Sequence, residues 1–374
     1  MQKTLATDVV QNALMQRGLS QKDLAQSLEV SAQAVTNWLH GKDFPRPAKL
    51  LKLAATLHLN YDELVQNGSG NRPVVAFRKK GSAKTTRAHI NKARDVGELL
   101  KLVVPYLDQQ QVLRTQITSP STEYKKIQLA IAETRERLGI GEQAVLEYAH
   151  LISEFKHCGA ILVPVLWGNK QRHENALHIR LPEEDVTFIF LNLDTHIEDF
   201  KFWMAHELAH VYTPDLAGSE KGEDFADAFA GALLFPKACA AGAYHEALNQ
   251  KCEADAIKTL IHYARGHQIS LFTVFQEVKK YAQHAKLSPL EINAASIHAT
   301  RNSSAGSLIS TALFTPEPPS PARYIADAEN QFQSDFFPAL KKMINDKHTG
   351  HSYLQQLLDT SIHDARALHE ELRR

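Results

Sequence analysis

The chain lacks any apolar run approaching the roughly 18 residues that a membrane-crossing helix needs. Its opening, MQKTLATDVVQ, also lacks the apolar stretch of a secretory signal, so a cytoplasmic protein without a membrane partner is the expectation. Cysteine is scarce. Cys158, Cys239 and Cys252 are odd in number and widely spaced, which argues against a disulfide framework and for a reducing compartment. Charge of one sign is missing too: the formal net charge is zero, which excludes a chain that is basic all over but leaves room for local basic patches. No repeat of solenoid type is present.

Histidine, by contrast, is plentiful at 19 residues. A single one therefore means little, and pattern has to carry the argument. The segment KFWMAHELAHVYTPDL (201–216) holds such a pattern, His206-Glu207-Leu208-Ala209-His210. On a helix, positions i and i+4 share a face, so His206 and His210 can aim ring nitrogens at one ion. Glu207 falls beside that ion, where it can take a proton from an attacking water and pass it to a leaving amine. Zinc needs a third protein ligand as well as an open position.

The following helix, SEKGEDFADAFAGALLFP (219–236), is expected to supply it. Glu223 and Asp227 are again one turn apart, with small and apolar residues between and after them that permit close packing. Glu223 is the expected third ligand and Asp224 its competitor. Asp227 can accept a hydrogen bond from a ligand histidine's second nitrogen. The plain alternative is an amphipathic surface helix with solvated acids. An oxyanion donor is also needed; Tyr212 and His245 are within reach, though each reads first as a packing or surface residue. The segment TFIFLNL is either an ordinary core strand or one that could take an extended substrate, and Cys158 reads first as a small buried residue before a strand, with a metal-blocking thiolate as its alternative.

These two helices, preceded by a strand pair, resemble the ImmA/IrrE family of zinc metallopeptidases. His206, Glu207 and His210 fall on its first motif. Glu223, Ala226, Asp227, Phe229, Ala230, Leu233, Leu234 and Pro236 fall on its second, while Phe225 and Phe235 depart from the usual Glu and Met. The resemblance implies an α+β core, a bound Zn2+ and a preference for cleaving small DNA-binding repressors or antitoxins. It further implies a cytoplasmic stress, mobile-element or phage-defence role with a DNA or DNA-damage trigger.

Residues 5–66 read as short helices with abrupt breaks. Ser20, Ser31 and Asn60 are helix starts, Gly18, Gly41 and Gly68 stops, and Pro47 stands near the first turn of a fourth helix. Leu24, Ala25, Leu28, Val30, Val35, Trp38, Leu50, Leu53, Ala54, Leu57 and Leu64 recur at helical spacing and predict one small core. This segment resembles the Cro/repressor-type (XRE) helix-turn-helix, carrying Gln21, Leu24-Ala25, Val30-Ser31, Val35, Trp38, Gly41-Lys42 and Pro47 on its pattern. The resemblance implies a second motif helix in the major groove, its exposed half running from Ser31 through Thr36 to Asn37. Gln33 and Asn37 would meet base edges, and Gln21, Lys22, Lys42 and Arg46 phosphates. Acids nearly balance bases in this segment, so its electrostatic footprint is weak. Between Arg72 and Arg94 eight basic residues occur with no acid, either a solubilising linker or a track for single-stranded nucleic acid.

The expected fold is therefore multidomain and mostly α with one α+β domain. Residues 1–68 form the helix-turn-helix bundle, and 69–139 a basic linker with connecting helices. The zincin-like metallopeptidase, with a small sheet, occupies 140–240, and a helical region 241–374. Within the last, Phe332, Phe336, Phe337, Leu340 and Ile344 suggest core or a homodimer surface. Two functions follow: a zinc endopeptidase acting on a helix-turn-helix repressor or antitoxin, or a DNA-binding regulator whose metal domain senses or scaffolds.

Overall fold

The computed structural model describes residues 3–40, 43–60, 64–67, 73–78, 87–108, 115–167, 176–303 and 306–374. The chain divides into two compact units, Met1–Arg72 and Pro73–Arg374.

The described residues of the first unit include the helices α1 (Thr7–Arg17), α2 (Gln21–Leu28), α3 (Ala32–Leu39) and α4 (Pro47–Leu57), and a short ladder that pairs β1 (Lys3–Leu5) antiparallel to β2 (Val65–Asn67). Local chemistry sets the breaks. Gly18 takes the left-handed conformation (φ +63°) that ends α1, Ser20 and Asp23 form a reciprocal capping box on α2, and the Ser31 hydroxyl accepts from Ala34 N–H at the start of α3. Leu24, Ala25, Leu28, Val35, Trp38, Leu50, Leu53, Leu57 and Leu64 are buried together, with Val30 and Ala54 packed half-buried around them.

In the second unit a four-stranded sheet has the order β3-β5-β6-β4, built from β3 (Val74–Arg78), β4 (Ala160–Val165), β5 (Ala176–Leu181) and β6 (Val186–Asn192). β4 and β6 are parallel; β5 runs antiparallel to β6 and to β3. The linker expected after residue 68 thus contributes an edge strand, Val74–Arg78, and then a helix, α5 (Arg87–Leu100). Lys79, Lys80 and Lys84 of the basic stretch lie outside the described residues, while Lys92 is paired with Asp359.

Alternation along the strands gives the sheet two apolar faces. Leu177, Ile179, Phe188 and Phe190 face a layer made by α5 and the C-terminal helices α15 (Pro321–Phe332), α16 (Phe336–Lys347), α17 (His351–Leu358) and α18 (Ile362–Leu372). Phe336, Phe337, Leu340 and Ile344 are buried in this layer and Phe332 in the opposite one, so they are core of this chain rather than surface.

On the other face, Ala176, Ile189 and Leu191 meet α7 (Tyr148–His157), α8 (Ile197–Tyr212) and α9 (Glu220–Leu234). Around these pack α6 (Tyr124–Arg137), α10 (Lys237–Leu248), α11 (Glu253–His267), α12 (Leu271–Ala285), α13 (Ala294–Ser303) and α14 (Ile309–Leu313). The free side of β4 is closed by hydroxyls: Tyr324 donates to the Pro164 carbonyl and Ser334 to that of Leu162, which protects an edge from strand addition. No helix of the described residues is long and apolar enough to cross a membrane.

Candidate metal centre

α8 leaves β6 after a short turn and runs back beneath the sheet. Glu198 and Asp199 in its first turn suit the positive end of the helix dipole, and Thr213-Pro214 ends it. Sixteen residues long, α8 is almost wholly enclosed at its middle: His206 is 0 % exposed, Glu207 and His210 each 1 %.

α9 returns against α8 after Gly218 (φ +75°) and starts at Ser219, whose hydroxyl accepts from Gly222 N–H at 3.0 Å. Gly222 is required there, since a Cβ would stand 2.2 Å from the Leu216 carbonyl oxygen. Ala226 and Ala230 are fully buried and bring the two helix backbones close. Glu223 and Asp227 consequently face α8, whereas Asp224 is exposed on the other side.

Three donors converge. The Nε2 atoms of His206 and His210 lie 3.1 Å apart, His210 Nε2 is 3.3 Å from Glu223 Oε1, and His206 Nε2 is 3.5 Å from Glu223 Oε2. Ligands placed 2.0–2.1 Å from a tetrahedral ion stand about 3.4 Å from one another. The observed spacing meets that requirement without rearrangement, and the three residues could hold a metal ion. Burial agrees: Glu223 Oε2 is enclosed and has no hydrogen-bond donor among the described residues. Two enclosed imidazole nitrogens and a carboxylate in contact are stabilised by a cation, or failing that by a proton.

The electrostatics show the same demand. Burial disfavours a charged His206, yet its contacts with Asp227 and Glu223 outweigh that and raise its pKa to about 9. Burial likewise opposes ionisation of Glu223, but both histidines overcome it and lower its pKa to about 2. Behind His206, Asp227 Oδ1 lies 3.0 Å from Nδ1, which turns Nε2 toward the centre.

Other expected residues sit elsewhere. Tyr212 lies on the far side of α8, fully buried; its hydroxyl donates to Glu154 Oε1 at 2.6 Å and accepts from Arg137 at 2.7 Å. Burial and Glu154 raise its pKa, and its proton is committed to Glu154 in a packed, paired phenol. His245 is exposed, against Tyr244 and Tyr281. Cys158 is 2 % exposed with Sγ on Glu154; burial, then Glu154, push the thiol up to about 12, so no thiolate is available to block a metal. The TFIFLNL strand, β6, is paired on both sides and has no free edge for a substrate.

One residue went unread in the sequence. His178, on β5, is 1 % exposed, with Nδ1 3.6 Å from Glu207 Oε2 and its ring edge-on to His210 at 5.8 Å between centroids. Neither ring nitrogen has a hydrogen-bond partner among the described residues, nor has Glu207 Oε2. Burial lowers the His178 pKa, so the ring is neutral. The sequence gives little signal, because His178 alternates with Arg180 on one face of ALHIRLP and reads as outward beside Leu177, Ile179 and Leu181.

On the first unit, Gln21, Lys22, Ser31, Gln33 and Arg46 are exposed, Thr36 and Asn37 half-buried. Gln33 Nε2 donates to Asn37 Oδ1 at 3.0 Å, and Thr36 Oγ1 to Gln21 Oε1 at 3.4 Å. Lys42 lies outside the described residues. Residues 10–64 match the helix-turn-helix family HTH_3, a DNA-binding class. No curated protein matches the chain.

Proposed function

We propose that the chain is a zinc-dependent endopeptidase coupled to a DNA-binding helix-turn-helix, and that it cuts a partner repressor or antitoxin to release an operon. The observation that carries this reading is Glu207: a carboxylate at 1 % exposure, next in sequence to one ligand and three residues before the other. A purely structural metal site has no use for a buried acid in that place. Burying a carboxylate costs on the order of several kcal/mol unless it is well paired.

His206, His210 and Glu223 would hold the ion, with Asp227 fixing the His206 ring. Zinc in that position would polarise a peptide carbonyl and favour ionisation of water. Glu207 takes the proton of the attacking water and delivers it to the departing amine. Enclosure by α8, α9 and the sheet strengthens each of these electrostatic interactions. The resemblance to ImmA/IrrE peptidases supports a helix-turn-helix protein as the substrate, and the matched domain supports a DNA-linked setting.

A second reading, a DNA-binding regulator with a metal centre that senses or scaffolds, draws on the same match at residues 10–64. One experiment separates the two. Full-length protein loaded with zinc is incubated with helix-turn-helix repressors offered as candidate substrates, alongside Glu207→Gln. The endopeptidase reading expects one zinc per chain in both and cleavage by the wild type alone. Equal cleavage by Glu207→Gln, or none by either, leaves the regulator.

A further inference from the structure

We infer that His178 is a positioning residue for Glu207, donating its Nδ1–H to Oε2 so that the other oxygen is left to carry the proton. The inference rests on the hydrolytic reading of the centre and adds a residue that neither helix motif contains. A histidine serving only as core filler is expected to have its nitrogens satisfied, because an enclosed polar atom without a partner is costly. His178 has both nitrogens enclosed and unpartnered among the described residues, and Glu207 Oε2, itself enclosed and without a donor, stands 3.6 Å from its Nδ1. Closing that gap by a few tenths of an ångström satisfies both atoms at once.

The surroundings favour this pairing over metal ligation. The group able to share an ion comprises His206, His210 and Glu223, and His178 is not in it. On the same face of β5, Ala176 is fully buried and brings no polar group, while Arg180, a cation, cannot ligate an ion and disfavours a charged His178. A glutamate side chain turns about three bonds, and α8 by itself fixes none of them. A donor on the sheet, a different element from the two helices that carry the ligands, sets the carboxylate's direction independently of the metal. His178 therefore acts through Glu207 and touches no reacting atom.

The test uses full-length protein with 15N-labelled histidine at neutral pH, the His178 signals being assigned from their absence in a His178→Leu sample. The expected result is an Nδ1–H, bare-Nε2 ring at His178, which changes to the Nε2–H form in Glu207→Ala. An Nε2–H ring in the wild type, or the same tautomer in Glu207→Ala, overturns the inference, and neither result depends on any substrate being cut. In the cleavage assay, His178→Leu is expected to keep one zinc per chain and an unchanged KM while kcat falls at least ~10-fold. His178→Asn, which restores an N–H near the Nδ1 position, is expected to recover most of that loss. Unchanged kcat in His178→Leu, or loss of zinc from it, also overturns the assignment. If the wild type cuts nothing, the hydrolytic reading falls by itself and the tautomer still decides what His178 does.

Discussion

Asp227 holds His206 from behind: Oδ1 is 3.0 Å from Nδ1, and the contact bridges the two helices that carry the three groups able to hold a metal ion. The carboxylate is about one-third exposed and the imidazole fully enclosed, so the pair fixes a buried ring from a partly wet position. Asp227→Asn keeps the shape but weakens the acceptor. It is expected to lower zinc affinity by about 10–100-fold while leaving the helical content unchanged. Competition with a chromophoric chelator reads the affinity, and an affinity equal to wild type would show that the ring needs no such support.

Tyr212 makes the opposite case, a site candidate that serves the interior. Its hydroxyl joins Arg137 of α6 to Glu154 of α7, all behind the centre. Tyr212→Phe strips two hydrogen bonds from a fully buried group and should cost about 1–3 kcal/mol. The expected outcome is a lower thermal midpoint with zinc content and any cleavage rate preserved. A stable variant that had lost activity would return the phenol to the chemistry.

These two residues show how far the sequence could be read. The i, i+4 pairs of α8 and α9 specify their own geometry, because helical spacing fixes which side chains share a face; His206, His210, Glu223 and Asp227 could be brought together on paper. The core of the first unit was legible for the same reason, as were the strands at β4, β5 and β6 with their branched residues. What periodicity cannot give is the partner across a non-local contact. Tyr212 stands two residues past His210, and only the packing of α6 and α7 shows that its hydroxyl is already taken. His178 meets Glu207 through the sheet, 29 positions away along a stretch of chain that no local rule connects. Val74–Arg78 looked like linker because Pro73 and the basic run around it mask four apolar residues; its strand character comes from pairing with β5.

Metal binding has to displace the proton that His206 otherwise holds. That ring is raised to about 9, so below that pH the free centre carries a proton that the loaded one lacks. Glu223, lowered to about 2, is ionised at neutral pH. Zinc affinity should consequently rise with pH by close to tenfold per unit up to about 9 and level off above. The stability of the metal-free protein moves the other way: the contribution of protonated His206 is complete below 6.5 and is lost as pH climbs through 9. Calorimetry at pH 7.5 in buffers of different ionisation enthalpy should count about one proton released per zinc. A count of zero would mean that His206 is neutral before the metal arrives.

Gln33 and Asn37 present themselves on α3 as a linked pair, with the Gln33 amide donating to Asn37 Oδ1 at 3.0 Å. Arg46 stands exposed at the N-terminal end of α4. If α3 enters the major groove, the amides read base edges and Arg46 meets the backbone, and substitutions should separate the two roles. Gln33→Ala and Asn37→Ala are each expected to cost about 1–3 kcal/mol against the preferred duplex and little against unrelated sequence. Because each amide helps to orient the other, the double variant should lose less than the sum of the singles. Arg46→Ala should instead weaken all duplexes alike and reduce the slope of affinity against salt by about one unit. Titrations at two salt concentrations against specific and scrambled duplexes measure all four quantities. Uniform loss from Gln33→Ala would move that residue from base reading to backbone contact, and a wild type insensitive to both salt and sequence would remove DNA from the account of α3 altogether.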